Sequence, residues 1–279
     1  MLLAGIRPIR RRTVHLKVTM ETSSALKSRL DALRPLGPDR IALLWPQWKA
    51  EDALFVYATN AVEGSTLTLG ETVAVLEHGI TVGGKPLSDH LDAVNGQKAY
   101  TIMLALAQKR ASITLDIVLD LHRAVVGDVA YAGQLRDEPV YIRGSLHVPP
   151  NHVKVSRLVD EMLARYDKEI LAREHPVRVA SALHFDFLTV HPFKDGNGRT
   201  ARLLENLHLI REGFAPILIG PVEKPRYFDV LERSQVAVPR VGDPTEFIAF
   251  MADLEKDAIE RYLKSLQTAH GENASDAVP

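Results

Sequence analysis

The segment His191-Pro-Phe-Lys-Asp-Gly-Asn-Gly-Arg-Thr-Ala-Arg202 decides how the rest of this chain is interpreted. Two glycines flank an asparagine directly after Asp195, a pattern typical of a tight turn with positive φ where the backbone can approach a ligand. Residues 199–210 are rich in leucine, alanine, arginine and glutamate, and Gly213 provides a stop signal. The turn is therefore predicted to open a helix.

The residue types in this segment are those that chemistry on a polyphosphate needs. Free N–H groups and the dipole at a helix N-terminus form an anion site. Arg199 and Arg202 share one helical face, and guanidinium groups match phosphate oxygens. Asp195 can hold Mg²⁺, and His191 is a natural general base for a hydroxyl. The alternative, a capping turn with a buried histidine and surface arginines, accounts less well for the whole string.

The complete segment resembles the signature of Fic-domain proteins, His-x-Phe-x-(Asp/Glu)-Gly-Asn-Gly-Arg-x-x-Arg, with every fixed position filled. Most Fic enzymes transfer AMP from ATP to a Ser, Thr or Tyr hydroxyl of a target protein. The resemblance implies a mostly α fold, with a helical bundle core and a small β-hairpin flap. Gly198 stands where the kinase-like branch of the family has lysine, which favours adenylyl transfer over phosphorylation.

The same resemblance implies a role for each residue of the segment. His191 would deprotonate the target hydroxyl, Phe193 would pack beneath the loop, and Asp195 would coordinate Mg²⁺ between the ATP phosphates. Arg199 would bind the γ-phosphate and Arg202 the β-phosphate. The residues expected to cradle the phosphates are Gly196, Asn197 and Gly198.

A second match lies far upstream, in Thr59-Asn-Ala-Val-Glu-Gly64. It resembles the inhibitory motif of the family, (Ser/Thr)-x-x-x-Glu-(Gly/Asn). The resemblance predicts that Glu63 pairs with Arg199 and takes the place of the γ-phosphate, because a carboxylate binds a guanidinium bidentately. Without the downstream segment, this stretch would be an ordinary helix end with a glycine cap.

Two further stretches resemble family features less closely. Residues 133–150 predict a short hairpin, because Val140 and Ile142 alternate, Gly144 breaks the run, and two prolines end it. It resembles the flap over the active site, on which an extended target segment would dock at 140–144. An ordinary surface hairpin is the alternative. The flap residues expected near ATP are Gly144, Ser145, Leu146 and His147.

After the core, Tyr227, Phe228 and Gln235 stand where relatives carry adenine and ribose contacts, and packing of a helix into the core is an equal alternative.

The run 79–86 matches most of a P-loop but ends in Pro86 and follows a helical pattern, so we interpret it as a helix stop and loop. His184 is interpreted as a hydrogen-bonded core histidine rather than as a metal ligand.

Composition indicates an ordinary globular chain of 279 residues, 46% hydrophobic and 25% charged. A net charge of −1 gives no strong attraction to nucleic acid or membrane. The chain has no cysteine, which fits a reducing cytoplasm, and no apolar run approaches the length of a membrane span. The arginines at 7 and 10–12 favour a mobile basic tail, and Met20 is an alternative start.

Helical periodicity dominates the chain. It predicts helices over 24–33, 41–62, 72–77, 87–107, 114–126, 155–170, 176–190 and 247–266. We therefore expect an N-terminal tail and helix (1–35), a helical region with the inhibitory motif (36–110), a Fic core (111–255), and a C-terminal helix and tail (256–279).

The leading functional hypothesis is a Mg²⁺-dependent protein adenylyltransferase restrained by its own N-terminal helix. Hydrolytic removal of AMP from a modified protein, transfer of another phosphate-linked group such as phosphocholine, and a non-catalytic nucleotide-binding regulator stay open as alternatives. The expected partners are ATP and a protein substrate of unknown identity, with self-modification and a homodimer also open.

Overall fold

The computed structural model describes residues 6–34, 38–236 and 242–268, with side chains from 14–34, 50–236 and 242–266. Within these ranges the regular elements are helices, and no strand is formed. The helices are α1 (Ile6–Ala32), α2 (Pro38–Glu63), α3 (Leu69–His78), α4 (Leu87–Gln108), α5 (Leu115–Val126), α6 (Val155–Leu171), α7 (Pro176–Val190), α8 (Asn197–Arg211), α9 (Lys224–Val236) and α10 (Thr245–Thr268).

Helix α8, which begins inside the segment quoted first, lies at the centre of the core. It contacts α2, α4, α5 and α7, so almost every residue along it is buried. Polar side chains are buried along it together with leucines, so these polar groups need hydrogen-bond partners inside the core. The leucines that fill the surrounding core are Leu203, Leu204, Leu207 and Leu209.

Local signals explain where several helices begin and end. Thr68 and Glu71 form a reciprocal capping box at the start of α3, and Gly79 ends that helix in the left-handed conformation. The run 79–86 that imitates a P-loop is therefore a helix stop followed by a turn, and α3 rather than a strand precedes it. Thr114 caps α5 through its side chain.

The end of α2 is brought to α8 by packing on α4. Phe55, Val56 and Val62 of α2 are buried, and Gly96 of α4 lets the two helices approach closely. A Cβ atom at Gly96 would lie 3.2 Å from Val56 Cγ1 and 3.5 Å from Asn60 Nδ2. This contact fixes the position of the last turn of α2, where the sequence places the inhibitory motif.

Helix α1 packs along α10, which places the two ends of the described chain side by side. His15 Nε2 lies 3.0 Å from Asp253 Oδ1, and the Thr19 hydroxyl donates to the same carboxylate at 3.3 Å. The arginines at 7 and 10–12, where the sequence predicted a basic tail, lie within α1. None of the described helices is long and apolar enough to cross a membrane.

The predicted β-hairpin is not formed, because residues 140–142 have no partner strand in the described chain. A turn closes between Ile142 and Ser145, with Gly144 at φ 80°. A strand needs a ladder of backbone hydrogen bonds to a neighbour. Here backbone groups at 138, 146 and 150 bind side chains instead, and we call residues 138–150 the flap.

We expect Gly96→Leu to lower the free energy of unfolding by about 1–3 kcal/mol, because overpacking a close contact forces neighbours to move. Urea denaturation followed by circular dichroism would measure it. The matched control is Gly70→Leu in α3, where an added Cβ meets nothing within 4 Å. Equal stability of the two variants would contradict the close packing of α2 on α4.

Candidate active site

His191 stands directly after α7 in a backbone conformation that few side chains adopt. Its φ is 52°, and a left-handed residue of this kind costs roughly 1–2 kcal/mol. Two hydrogen bonds hold it: its N–H donates to the Phe187 carbonyl at 2.8 Å, and Arg136 Nε donates to the His191 carbonyl at 2.8 Å. The backbone of His191 is therefore held in place at the end of the helix.

The protonation state of His191 suits a proton acceptor. Burial lowers its pKa to about 4, and the positive charge of Arg136 acts in the same direction. A histidine with such a pKa is neutral at physiological pH and can accept a proton from a hydroxyl.

Asn197 closes the loop that follows His191. Its Oδ1 accepts from the Phe193 N–H at 2.9 Å, and its Nδ2 donates to the Phe193 carbonyl at 2.8 Å. The amide side chain is buried and fully occupied by the loop. Only the backbone N–H of Asn197, in the first turn of α8, is therefore left to contribute to a phosphate cradle.

His122 of α5 supports this loop from below, and sequence reasoning missed it. Its ring stacks on the buried ring of Phe193 with centroids 3.6 Å apart. His122 Nδ1 accepts from the Gly133 N–H at 3.0 Å, so Nε2 carries the proton and donates to the Asp195 carbonyl at 3.0 Å. A histidine on the apolar face of α5 gives no sequence signal that distinguishes it from an ordinary core residue.

Asp195 presents a carboxylate at the mouth of the loop. Its Oδ1 accepts from the Gly196 N–H at 2.7 Å, and its side chain is 63% exposed. Gly196, at φ 76°, caps α8 in a conformation that favours glycine, and a Cβ there would lie 2.7 Å from Val126 Cγ1. The carboxylate is thus placed beside the N–H groups of the helix start.

Arg202 is held by both key residues of the upstream motif. Its Nε donates to the Thr59 hydroxyl at 2.7 Å, and its Nη2 donates to the Thr59 carbonyl at 3.1 Å. Nη2 also donates to Glu63 Oε1 at 2.5 Å. Gly64, at φ 106°, ends α2 immediately afterwards. The upstream motif therefore docks on the signature segment.

The predicted pairing of Glu63 with Arg199 is wrong. Glu63 pairs with Arg202, while Arg199 binds Asp92 of α4 and lies 3.6 Å from Asp195 Oδ2. The cause is geometrical, because α2 and α4 approach α8 from different directions and each meets a different arginine. Asp92 was missed because a helical aspartate in a mixed sequence looks like a solvated one.

Gly198 allows the carboxylate of Glu63 to come this close. A Cβ atom at position 198 would lie 2.2 Å from Glu63 Oε1, which no real contact permits. The glycine that the sequence assigned to the phosphate cradle thus lies against the carboxylate of Glu63.

One cavity of about 310 Å³ brings many of the predicted residues together. Its lining residues are Glu63, Ile142, Arg143, Gly144, Ser145, Leu188, His191, Gly198, Arg202, Tyr227, Phe228, Leu231, Glu232 and Gln235. A larger cavity of about 410 Å³ lies beside α2 and α10, but none of the predicted site residues line it. The residues that the sequence predicts to carry chemistry therefore line the smaller cavity rather than the larger one.

The flap is tied to the cavity wall by side chains. Glu232 of α9 accepts from the Ser145 hydroxyl at 3.0 Å and from the Leu146 N–H. His147 Nε2 lies 2.9 Å from the Thr189 carbonyl, behind the cavity rather than in it. Of the flap residues predicted near ATP, Gly144 and Ser145 line the cavity, whereas Leu146 and His147 do not.

The aromatic pair of α9 divides its roles. Both residues line the cavity, but Phe228 is exposed, whereas Tyr227 is almost fully buried and its hydroxyl lies 2.9 Å from His184 Nε2. Gln235 donates to the Thr189 hydroxyl at 3.1 Å and also lines the cavity. His184 is a buried, hydrogen-bonded core residue, as the sequence indicated.

The comparisons with known proteins agree with this site. A family model described as the Fic/DOC family matches residues 112–209. Protein adenylyltransferase fic-1 of Caenorhabditis briggsae is 34% identical over 222 residues, which cover 78% of this chain and 42% of that protein. Protein adenylyltransferase Fic of Drosophila ananassae is 32% identical over 243 residues, which cover 86% of this chain and 47% of that protein. The chain thus spans about half the length of these curated relatives.

Solved structures share the fold. Fic-1 from C. elegans superimposes with a TM-score of 0.80 at 28% identity, covering 95% of this chain and 76% of that one. A Fic domain containing signaling protein from Bacteroides thetaiotaomicron gives 0.79 at 25% identity, covering 91% of this chain and 100% of that one.

The helical fold places His191, Gly198 at the start of α8, and the carboxylate of Glu63 around one cavity. The chain belongs to the Fic/DOC family, as the complete signature at 191–202 predicted.

We expect the His191 imidazole to titrate near pH 4 in the folded protein, because burial lowers its pKa to about 4. Its unfolded pKa is about 6.5, so the unfolded chain binds the extra proton between these values and stability falls as pH drops through this window. His191→Gln should flatten that loss. Nitrogen-detected NMR titration and urea denaturation at several pH values would measure both, and titration near 6.5 would contradict the assignment.

Proposed function

We propose that this chain transfers AMP from ATP to a Ser, Thr or Tyr hydroxyl of a target protein, and that Glu63 restrains the reaction by pairing with Arg202. The observation that carries the proposal is the neutral His191 sharing one cavity with Glu63, Gly198 and Arg202. The relatives named protein adenylyltransferase support the same reaction.

The proposed chemistry is an in-line displacement at the α-phosphorus. His191 takes the proton of the target hydroxyl as its oxygen forms a bond to phosphorus. The bond from the α-phosphorus to the oxygen bridging the α- and β-phosphates breaks, and pyrophosphate leaves with that oxygen. Arg202 and the N–H groups of the first turn of α8 stabilise the negative charge on the phosphates.

Asp195 is the residue proposed to hold Mg²⁺. Its exposed carboxylate lies beside the helix start, and Mg²⁺ characteristically uses one or two carboxylates together with water and substrate phosphates. The part of the chain that the structure describes contains no group of three or more His, Cys, Asp or Glu residues forming an all-protein cage. The ion would neutralise phosphate charge during transfer.

Restraint follows from competition for Arg202. The Glu63 carboxylate takes the Nη2 position that a phosphate oxygen would use, and it lies against Gly198 at the cradle. A triphosphate meeting this negative charge would settle with its phosphates displaced, which impairs in-line attack.

A second candidate is hydrolysis of AMP from a modified protein. It is favoured by the presence of Glu63 and His191 in the same cavity, where the carboxylate would activate a water molecule. The protein target of either reaction is proposed to dock along the outer side of the flap, where Tyr141 is exposed.

We expect Glu63→Gly to increase label transfer from α-³²P-ATP by about tenfold or more, because a hydrogen bond to a charged group is worth about 1.5–3 kcal/mol. Adding His191→Ala should reduce that activity by about 10²–10⁴-fold through loss of the base. The assay would score both self-modification and a supplied protein lysate.

The matched control is Glu77→Gly, which removes an exposed glutamate near the end of α3 without touching the cavity. It should label like the wild type. Unchanged labelling by Glu63→Gly would disprove the restraint, and full labelling without His191 would disprove its role as the base.

We expect Asp195→Asn to abolish most of the gain in ATP affinity that Mg²⁺ provides, since the amide removes the charged ligand. Calorimetric titration of ATP with and without Mg²⁺ would show this. Asp128→Asn, in an exposed loop, is the control and should retain the gain. An Asp195→Asn protein with the full magnesium effect would rule out this ligand.

A further inference from the structure

A chain of buried polar side chains reaches Arg202 from the side opposite α2. Glu205 Oε1 accepts from the Ser181 hydroxyl at 3.2 Å, and Glu205 Oε2 lies 2.6 Å from His184 Nδ1. His184 Nε2 lies 2.9 Å from the Tyr227 hydroxyl, which interacts with Arg202. Each of these side chains is almost completely buried, so water cannot substitute for a lost partner.

The donors and acceptors of these groups determine which atom donates in each contact of this network. A guanidinium only donates, so toward Arg202 the Tyr227 oxygen can act only as an acceptor, and its single proton is available to His184 Nε2. The Nδ1 proton of His184 then goes to Glu205. Burial raises the pKa of Tyr227, which keeps its proton on the oxygen.

The partners on the two sides of Arg202 respond differently when a phosphate binds. Glu63 must give up its hydrogen bond, but Thr59 and Tyr227 can keep theirs. The buried carboxylate of Glu205 remains connected to the guanidinium through His184 and Tyr227, and low-dielectric surroundings strengthen such a network. These contacts would keep the guanidinium aimed at the cavity once Glu63 has moved.

We propose that Tyr227, His184 and Glu205 are positioning residues that orient Arg202 for the β-phosphate of the nucleotide. This inference rests on the proposed function. It assigns Tyr227 an effect on phosphate affinity through Arg202, in place of the contact with adenine or ribose that the sequence suggested.

The test uses Tyr227→Phe in the Glu63→Gly protein, because phenylalanine keeps the buried ring and removes only the hydroxyl. Calorimetric titrations with ATP, ADP and AMP in the presence of Mg²⁺ separate the effects. We expect affinity for ATP and ADP to fall about tenfold, as loss of one hydrogen bond to a charged group implies, and affinity for AMP to change by less than about twofold.

Tyr166→Phe is the matched control. Tyr166 is also buried, and its hydroxyl lies 2.8 Å from His208 Nδ1, which Arg211 contacts at 2.9 Å, away from the cavity. The same loss of a buried tyrosine hydroxyl should leave all three nucleotide affinities unchanged there. Glu205→Gln provides a second variant of the chain, with the same expected loss for ATP and ADP.

A double-mutant cycle distinguishes positioning from general support of the fold. Once Arg202→Ala has removed the guanidinium, Tyr227→Phe should have no further effect on ATP affinity, whereas a purely structural role would add its own loss. Unchanged ATP and ADP affinities in folded Tyr227→Phe, or equal losses for ATP and AMP, would overturn the proposal. If Glu63→Gly itself binds no ATP, the proposed function fails and this inference with it.

Discussion

The burial of one guanidinium, that of Arg202, constrains the rest of this site. A buried cation is costly unless it is paired and hydrogen-bonded, so Arg202 requires partners from the helices around α8. Helix α2 supplies Thr59 and Glu63, and α9 supplies Tyr227. The arginine suited to binding phosphate therefore needs a carboxylate when no phosphate is present. The restraint that we propose for Glu63 and the stability of the resting fold follow from the same electrostatic requirement.

Side chains also hold the loop before α8 in place. Its backbone is held by the side chains of Asn197, His122 and Arg136, which leaves the N–H groups of the helix start directed toward the cavity. Arg136 is buried, and its guanidinium donates to carbonyls at both ends of the flap and at His191. One side chain thereby couples the base of the proposed reaction to the segment where a target would dock.

Tertiary contacts also explain why the flap is irregular. The alternating residues at 140–142 favour a strand, but a strand is stable only beside a partner that accepts its hydrogen bonds. In this protein Glu232 binds one part of the flap, and Arg136 binds its two ends. Local preference is overridden because tertiary contacts satisfy the backbone in another way.

The sequence by itself determined the helical character of the chain, the start of α8 and the identity of the signature residues, because helical periodicity, caps and glycine turns are local properties. Tertiary structure alone decided which arginine meets Glu63, since that depends on how α2 and α4 are placed around α8. It also revealed Asp92 and His122, whose partners lie far away in the chain. Composition and spacing do not predict such packing. Buried charges and hydrogen-bonding groups that are distant in the sequence become partners only in the folded core.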